Sequence, residues 1–305
     1  MDGILNINKP RDMTSFQVVA KVKWLCREKQ AGHAGTLDPQ ATGVLPVCLG
    51  QATRIIEYLF DATKSYRAQV ELGITTDTYD AAGKVIHVAD AAGIRREMVE
   101  GVLAQYRGAI QQVPPMYSAI KHKGKPLYKL ARSGIEVERR SRSAHIYNLE
   151  ISGWEPPVVT LDIVCSKGTY VRSLANDIGE ALGCGAHLKS LVRPRVGPFT
   201  IEDALTLPRL EEALGQGYGE KYLYPLDFAL LPFTAVVVNE EKRSSLIHGA
   251  PINLDIEPEA GSAALSTGRR SRVYTEEGCF LGMIKYDPET GRWWPEKIFF
   301  RPSRV

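Results

Sequence analysis

The sequence predicts an α+β protein in which helices flank a mixed, largely antiparallel sheet, followed by a small β-barrel-like module. Strand-like and helix-like segments are mixed without a regular strand–helix–strand rhythm, which argues against a doubly wound parallel sheet. The 305 residues are about two domain lengths, at roughly 150 residues per domain. The last part, from Thr234, carries only short strand-like segments separated by turn-forming residues, a pattern typical of small barrels.

The N-terminal quarter predicts a strand, a helix, a loop and a second helix. Residues 4–7 are apolar and read as a short strand that Pro10 ends. Thr14 is a capping residue ahead of apolar residues at helical spacing, so a helix of about three turns follows. Residues 32–43 form a glycine-rich loop, and residues 52–60 read as a helix.

The middle of the chain predicts four strands and two helices. Apolar and polar residues alternate in the strands, whereas the helices carry apolar residues on one face. The predicted strands are 66–72, 84–88, 144–152 and 158–165, and the predicted helices are 95–106 and one that starts after Gly168.

A domain boundary is expected near Leu231-Pro232. We expect residues 1–231 to form the first domain, with an insertion around 112–143, and residues 234–303 to form the second. The second domain is expected to contain strands at 234–238, 272–275, 279–286 and 296–300, with a turn-rich piece at 258–268.

Composition and motifs exclude several classes of protein. The five cysteines form no Cys-x-x-Cys pair and no zinc-ligand spacing, which predicts reduced thiols and no metal. Neither a Gly-x-Gly-x-x-Gly motif nor a P-loop is present, so we expect no cofactor. The N-terminus lacks the pattern of a signal peptide, and the most apolar stretch, 222–238, contains an aspartate and two prolines. We therefore expect a cytoplasmic protein without a membrane span.

Basic residues are concentrated between Lys121 and His145. This stretch holds eight Lys or Arg against two Glu, a net charge of +6, whereas the whole chain carries +3. Such a concentration is typical either of a surface that binds phosphates or of a solvated loop, and charge alone leaves both readings open.

Asp38 lies in the glycine-rich loop, where functional residues are common. Gly32, Gly35 and Gly43 permit tight backbone paths, and Pro39 keeps Asp38 out of a helix. An isolated Asp-Pro is usually only a turn. The longer string around it favours a different interpretation.

Residues 32–46, Gly-His-Ala-Gly-Thr-Leu-Asp-Pro-Gln-Ala-Thr-Gly-Val-Leu-Pro, resemble the catalytic motif of the TruB family, the bacterial tRNA pseudouridine-55 synthases. Five further segments resemble family motifs and occur in family order, which is far more specific than one glycine-rich pattern. They are residues 3–15, 64–67, 112–121, 165–172 and 185–193.

The resemblance implies a pseudouridine synthase fold and an enzyme that isomerises uridine to pseudouridine in the T loop of tRNA, at position 55 in tRNA numbering. The family's nucleophilic aspartate falls on Asp38, and its arginine falls on Arg172. A carboxylate nucleophile must be ionised, and a nearby cation lowers a carboxyl pKa by roughly 1–3 units. We therefore expect Arg172 to lie beside Asp38 and to keep it charged.

The resemblance also implies roles for five substrate-facing residues. Tyr66 matches the tyrosine that stacks on the uracil and takes part in removing the C5 proton, although the residues alone would favour a core tyrosine. Tyr170 and Leu191 match positions that wall the uracil pocket. His33 matches the histidine that fills the gap left by the flipped base, the alternative being a loop histidine. Lys9 is expected to support the loop or the RNA backbone.

The basic stretch matches a family insertion that grips the T-arm of tRNA, the partner that the resemblance implies. The module from Thr234 loosely resembles a PUA-type RNA-binding domain, and we expect a monomer. Lys189, Arg193 and Arg195 form a second candidate RNA-binding patch. The residues expected to contact phosphates in the insertion are Lys121, Lys123, Lys125, Lys129 and Arg132.

Two alternatives stay open at this point. One is a non-catalytic tRNA-binding scaffold or tRNA folding chaperone, which would not need Asp38, Tyr66 and Arg172 together. The other is a hydrolase with two carboxylates, which lacks an obvious second acid because Asp77 and Asp80 fall in a polar loop. The sequence leaves open whether Asp38 attacks C1′ or the base, and whether other RNA hairpins are substrates.

Overall fold

The computed structural model describes residues 1–118, 120–254 and 269–299, without the side chain of Arg132. Within these residues, ten strands form one mixed sheet, four strands form a second sheet, and four more form two separate hairpins. Helices pack against both sheets, so the predicted α+β class is confirmed. No helix in the described ranges is long and apolar enough to cross a lipid bilayer.

The elements follow one another in this order. The first half contains β1 (Gly3–Lys9), α1 (Ser15–Leu25), β2 (Ala31–His33), β3 (Thr42–Leu49), α2 (Ile56–Asp61), β4 (Lys64–Leu72), β5 (Ile74–Thr76), β6 (Val85–Val88), α3 (Arg96–Leu103), β7 (Gly108–Gln112), β8 (Lys121–His122), β9 (Lys125–Pro126), α4 (Leu127–Arg132) and β10 (Arg142–Glu155). The second half contains β11 (Val158–Cys165), α5 (Val171–Ala181), β12 (Ala186–Val196), β13 (Phe199–Thr200), α6 (Leu207–Gly215), β14 (Leu223–Tyr224), β15 (Thr234–Val238), α7 (Glu240–Ile247), β16 (Arg270–Thr275), β17 (Phe280–Asp287) and β18 (Arg292–Ile298).

Helix α1 begins where its capping residues predict. The Gln17 N–H donates to the Thr14 hydroxyl at 3.1 Å, and the Thr14 N–H donates to the Gln17 side chain at 2.8 Å. This reciprocal capping box satisfies two backbone N–H groups that would otherwise be left unpaired at the start of the helix. It fixes the start of α1 next to the loop that carries Asp38.

The large sheet has the order β14-β1-β3-β12-β4-β11-β10-β7, and β2 and β13 pair on its side. Neighbouring strands are antiparallel except β3 and β12, which run parallel with Thr42 opposite Val192 and Gly43 opposite Arg193. Gly43 has a φ of +109°, and a Cβ there would overlap the Arg193 carbonyl. Only glycine fits, so this residue lets β3 and β12 meet beside the Asp38 loop.

Helices α3 and α5 cover one face of the sheet, over strands β4, β7, β10, β11 and β12. Ala68 and Val70 of β4 lie in this core, whereas Arg67 and Gln69 point to solvent on the other face. Tyr66 shares the helix-covered face with Ala68 and packs against the same core. The alternation of β4 therefore directs Tyr66 toward α5, the helix that carries Arg172.

The C-terminal strands form a separate open sheet of order β15-β16-β17-β18, with β15 parallel to β16. The strands predicted at 234–238, 272–275 and 279–286 are confirmed, whereas the one predicted at 296–300 starts earlier, at Arg292, and ends at Ile298. The described residues do not close into the expected barrel. Helix α7, capped by Asn239, was not predicted. The predicted turn-rich piece 258–268 and the end of the 234–303 unit lie outside the described residues.

Candidate active site

The loop that carries Asp38 is fixed from three sides. The Ser15 hydroxyl donates to the Leu37 carbonyl at 3.0 Å and accepts from the Leu37 N–H at 2.9 Å. The Asp38 carbonyl accepts from the Ala41 N–H at 3.0 Å. The Lys9 ammonium donates to the Pro39 carbonyl at 3.1 Å. The backbone is thus held in place while the Asp38 side chain stays 38% exposed.

Arg172 binds the Asp38 carboxylate with two parallel contacts. Its Nε lies 2.9 Å from Oδ2 and its Nη2 lies 3.3 Å from Oδ1. The Arg172 side chain is only 8% exposed, and its Nη2 also donates to the Tyr117 carbonyl at 2.9 Å. The expected proximity of the two residues is confirmed. A planar guanidinium held in this way fixes both the charge and the orientation of the carboxylate.

Gln112 holds the start of α5, although the sequence did not single it out as a site residue. Its side chain accepts from the Tyr170 N–H at 3.0 Å and donates to the Tyr170 carbonyl at 3.3 Å. Gln112 is 2% exposed, so these bonds are shielded from water. They fix the backbone two residues before Arg172, in the first turn of a helix where a cation is otherwise disfavoured.

Asp80 is a second carboxylate at the site. Its Oδ2 lies 3.3 Å from the Arg172 Nη1, and its Oδ1 accepts from the Thr78 hydroxyl at 2.6 Å. Asp80 lies in a loop, as expected, but the bond from the Ala81 N–H to the Leu188 carbonyl docks this loop on β12 and brings the carboxylate to the site. Asp80 and Asp38 share one guanidinium, an arrangement that favours holding Arg172 over acting as an acid–base pair.

Opposing effects act on the Asp38 carboxyl. Burial raises its pKa, the Arg172 cation lowers it, the Asp80 charge raises it, and Lys9 lowers it. The net pKa lies above the ordinary value of 3.8. The expectation that Arg172 lowers the pKa therefore described only the second-largest effect, since sequence patterns do not show how far the loop is removed from water.

Tyr66 lies on β4, where its phenol is close enough to Arg193 and Asp38 for both charges to act on its pKa. Burial raises the pKa of the phenol, and the Arg193 cation opposes that rise. Tyr66 also packs against the main core. The two interpretations of this tyrosine are thus compatible: the ring is part of the core and its hydroxyl lies at the site.

Tyr170 and Leu191 lie on the same side of the sheet as Tyr66. Burial raises the pKa of the half-buried Tyr170 phenol, which is also influenced by Arg172 and Asp38. Leu191 is 9% exposed on β12, directly opposite Ala68 of β4. The charge of Asp38 thus acts on both tyrosines, and Leu191 lies on the same face of the sheet as Tyr66.

His33 ends strand β2 and so does not lie in a loop. It is half-buried, and its Nδ1 is buried with no hydrogen-bond partner among the described residues. Burial lowers the pKa of the imidazole, the Arg193 cation lowers it further, and the Gly35 backbone opposes this in part. We therefore expect a neutral ring near neutral pH.

Lys9 is fully buried, at 0% exposure, and its ammonium donates to the carbonyls of Pro10 and Pro39. Burial lowers its pKa to about 8. Of the two expected roles, support of the loop or of the RNA backbone, the buried Lys9 side chain fulfils the first.

The basic stretch is an exposed hairpin followed by a short helix. Lys123 and Gly124 both have positive φ, 47° and 83°, which closes a tight turn between β8 and β9. A cavity of about 610 Å³ beside it is lined in part by Arg139, Arg140 and Arg142. The side chain of Arg132 lies outside the described residues. The other four predicted phosphate contacts, Lys121, Lys123, Lys125 and Lys129, are exposed.

The prediction of a second RNA-binding patch is wrong for its central residue, Arg193. Arg193 is 1% exposed and lies under the Asp38 loop, so it is not available to a phosphate at the surface. Among the described residues, no three His, Cys, Asp or Glu side chains lie together in a way that would hold a metal ion.

Comparison with known proteins gives a consistent result over the whole chain. The model described as "TruB family pseudouridylate synthase (N terminal domain)" matches residues 23–171, and "tRNA pseudouridylate synthase B C-terminal domain" matches residues 172–238. The tRNA pseudouridine synthase B of Dehalococcoides mccartyi is 47% identical over 99% of this chain and 98% of its own length. That of Pseudomonas aeruginosa is 44% identical over 93% of this chain and 91% of its own length.

Solved structures agree in fold. The chain resembles a chain from a crystal structure of a Cbf5-Nop10-Gar1 complex, with a TM-score of 0.76, 28% identity, and coverage of 98% of this chain and 85% of that one. It also resembles a chain from an H/ACA RNP bound to a substrate RNA containing 2'-deoxyuridine, with a TM-score of 0.74 and 26% identity over the same shares.

Proposed function

The chain belongs to the TruB family of pseudouridylate synthases, and on that premise we propose that it isomerises uridine to pseudouridine in the T loop of tRNA, at position 55 in tRNA numbering. Relatives named tRNA pseudouridine synthase B that align over nearly its full length support tRNA as the substrate. The observation that carries the proposal is the partly exposed Asp38 carboxylate, held by the buried Arg172 through two contacts.

The reaction needs no atom beyond those of the substrate and a proton. The bond between C1′ and N1 of the nucleotide breaks, the uracil turns, a bond forms between C1′ and C5, the C5 proton leaves, and N1 gains a proton. Asp38 acts as the nucleophile, at C1′ or at the base, and the covalent intermediate divides one difficult step into two easier ones. Arg172 orients the carboxylate and opposes the effect of burial on its pKa.

The aromatic and aliphatic residues hold the base while it turns. Tyr66 stacks on the uracil and takes part in removing the C5 proton, since its phenol lies close to Asp38. Tyr170 and Leu191 wall the pocket. Base–aromatic stacking contributes about 1–3 kcal/mol per base, which is enough to hold a base outside its stack.

The target uridine leaves the folded loop, at a cost of a few kcal/mol for unstacking. His33 fills the space that it leaves. The Nδ1 of His33 supports this role, because it has no hydrogen-bond partner among the described residues and so none to lose there on binding RNA. The exposed lysines of the β8–β9 hairpin and α4 contact phosphates of the T-arm, as their charge and exposure favour.

The proposal is tested by tritium release from tRNA labelled at C5 of uridine. Wild-type protein is expected to release tritium from the native transcript and not from a transcript with cytidine at position 55. Release from the cytidine transcript at the native rate would disprove the assigned position. Tight binding without release from either transcript would favour the alternative, a tRNA-binding scaffold or folding chaperone that performs no chemistry.

A further inference from the structure

Arg193 is a buried cation directly behind the proposed reacting groups. Its side chain is among the largest in the protein that are fully buried, at 1% exposure. Its Nε donates to the Val44 carbonyl at 2.9 Å and its Nη2 donates to the Gly35 carbonyl at 3.1 Å. The strand register also brings Arg193 alongside Tyr66, because Val192 lies opposite Arg67 and Arg195 lies opposite Ser65. Burial raises the pKa of the Tyr66 phenol, and the Arg193 charge lowers it. One group thus bonds β3 and the Asp38 loop and lies beside the tyrosine of β4.

The environment of Arg193 is unfavourable for a group that serves only to hold the fold. Within the part of the chain that the structure describes, no carboxylate lies at ion-pair distance from it. The nearby Lys9 and Lys64 are buried cations as well, and Arg193 contributes to lowering the pKa of both. A buried charge without a counter-ion is costly, and a neutral amide would bond the same two carbonyls at lower cost.

The phenol of Tyr66 is the partner for which a guanidinium differs from an amide. A fixed N–H donor orients the phenol oxygen and stabilises negative charge on it. Gly35 has a φ of +92°, which favours glycine, and this backbone conformation presents its carbonyl to Arg193. Arg193 therefore fixes the Tyr66 hydroxyl relative to Gly35, which lies in the loop three residues before Asp38.

We propose that Arg193 is a positioning residue of the reaction: its guanidinium fixes the Tyr66 phenol and the Asp38 loop in one geometry around the target base. This inference rests on the proposed function, because it assigns to Tyr66 a role at that base. It predicts that removal of the Arg193 guanidinium acts on the chemical step and acts through the Tyr66 hydroxyl.

The test is a double-mutant cycle with Arg193→Gln and Tyr66→Phe, measured as single-turnover rates at saturating enzyme. Arg193→Gln alone is expected to slow the reaction by about 10²-fold, the effect of misplacing a reacting group, with the Kd for tRNA unchanged. In the Tyr66→Phe background the same substitution is expected to change the rate by less than about 3-fold, because coupled residues are not additive. Arg193→Lys keeps the charge but not the planar fork of donors, so its single-turnover rate is expected to lie between those of the wild type and Arg193→Gln.

The matched control is Arg67→Gln. Arg67 neighbours Tyr66 but points to solvent from the opposite face, where it pairs with Asp162 at 2.8 Å, so its replacement is expected to leave the rate unchanged. A second measurement is the ¹³Cζ NMR signal of labelled Tyr66, identified by its absence in Tyr66→Phe. It is expected to shift in Arg193→Gln and not in Arg67→Gln.

An equal loss of rate in both Tyr66 backgrounds, or an unshifted Tyr66 signal, would overturn the inference and leave Arg193 as a clamp of the backbone. Such a result would not affect the proposed function as long as the wild type converts tRNA and Asp38→Asn does not. If the wild type released no tritium from tRNA, the proposed function itself would fail, and the two failures are therefore distinguishable.

Discussion

Asp38 and Asp80 bind one guanidinium, and this sharing decides what each of them contributes. Asp38 makes the shorter contact, 2.9 Å against 3.3 Å, and has the more exposed carboxylate, 38% against 17%. These contacts support the proposed nucleophilic role of Asp38, and we propose that Asp80 orients Arg172. A residue that acts through another affects the rate without affecting how tightly RNA binds.

We expect Asp80→Asn to slow single-turnover pseudouridine formation by about 10-fold to 10²-fold, because Arg172 then has only one charged partner and Asp38 is held less well. The Kd for tRNA is expected to stay within about 3-fold of the wild type. Asp77→Asn is the control, since Asp77 lies in the same loop but its carboxylate accepts from the Lys84 N–H instead. Equal effects of the two substitutions would contradict the role of Asp80.

The pH dependence follows from the raised pKa of Asp38. Only the ionised carboxylate attacks, so the rate is expected to fall as pH drops through the Asp38 pKa, which lies above 3.8. Because the Asp80 charge contributes to raising that pKa, Asp80→Asn is expected to move the acid limb of the rate profile to lower pH. A limb that moves to higher pH, or stays in place, would show that the two carboxylates do not interact as described.

At the scale of elements, the start of α5 depends on Gln112 of β7. Gln112→Met would leave the N–H and carbonyl of Tyr170 without their buried partner, which typically costs about 1–3 kcal/mol. We expect a lower free energy of unfolding in urea and a slower reaction, since Arg172 follows two residues later. Gln111→Met, at the exposed neighbouring position, is expected to change neither. A loss of stability without loss of rate would separate Gln112 from the site.

The strands β4 and β11, which alternate and bury one face, were predicted nearly to their ends. Of the strands buried on both faces, β1 was predicted only in part and β3 was missed. β3 was missed because both of its faces are buried and it contains Pro46 in a central strand, and β12 was missed although its motif was recognised, since it contains Pro194. Proline argues against a central strand, and a strand buried on both faces shows no alternation.

The site shows the same division between local pattern and long-range contact. Asp38, Tyr66 and Arg172 were assigned because each lies in a recognisable motif. Asp80 was missed because no recognised motif contains it and its partner lies 92 residues away. Gln112 opens a recognised segment, but its residue type gives no sign of the contact it makes 58 residues away. Burial decided the remaining differences: it removed Lys9 from the surface and raised the Asp38 pKa.

At the scale of the whole molecule, the C-terminal sheet packs against the first part of the chain. Glu296 of β18 accepts from the Tyr58 hydroxyl of α2 at 2.8 Å, and Met283 of β17 lies in a core shared with α2. The Arg54 guanidinium donates to the Ile298 carbonyl at 2.9 Å. This apolar and polar interface fixes the C-terminal sheet relative to α2 and its neighbours.

The basic hairpin lies in the chain between β7 and β10, the two strands at the end of the large sheet away from β14. Its charge predicts how tRNA binding responds to salt. Lys123→Ala combined with Lys125→Ala is expected to weaken binding and to lower the slope of log Kd against log salt by about 0.7–0.9 for each phosphate that is no longer neutralised. Lys23→Ala with Lys29→Ala, which removes two exposed cations at the far end of α1, is expected to leave the slope unchanged. Identical slopes in both double variants would show that the hairpin is a solvated surface that does not contact RNA phosphates.

The central claim is that Asp38 performs the chemistry, and the most direct test is the single-turnover rate of Asp38→Asn on tRNA labelled at C5 of uridine. The substitution keeps the shape of the side chain but removes the nucleophilic charge. We expect no detectable tritium release, with a Kd for tRNA close to that of the wild type. Release at the wild-type rate from a folded Asp38→Asn protein would contradict the account.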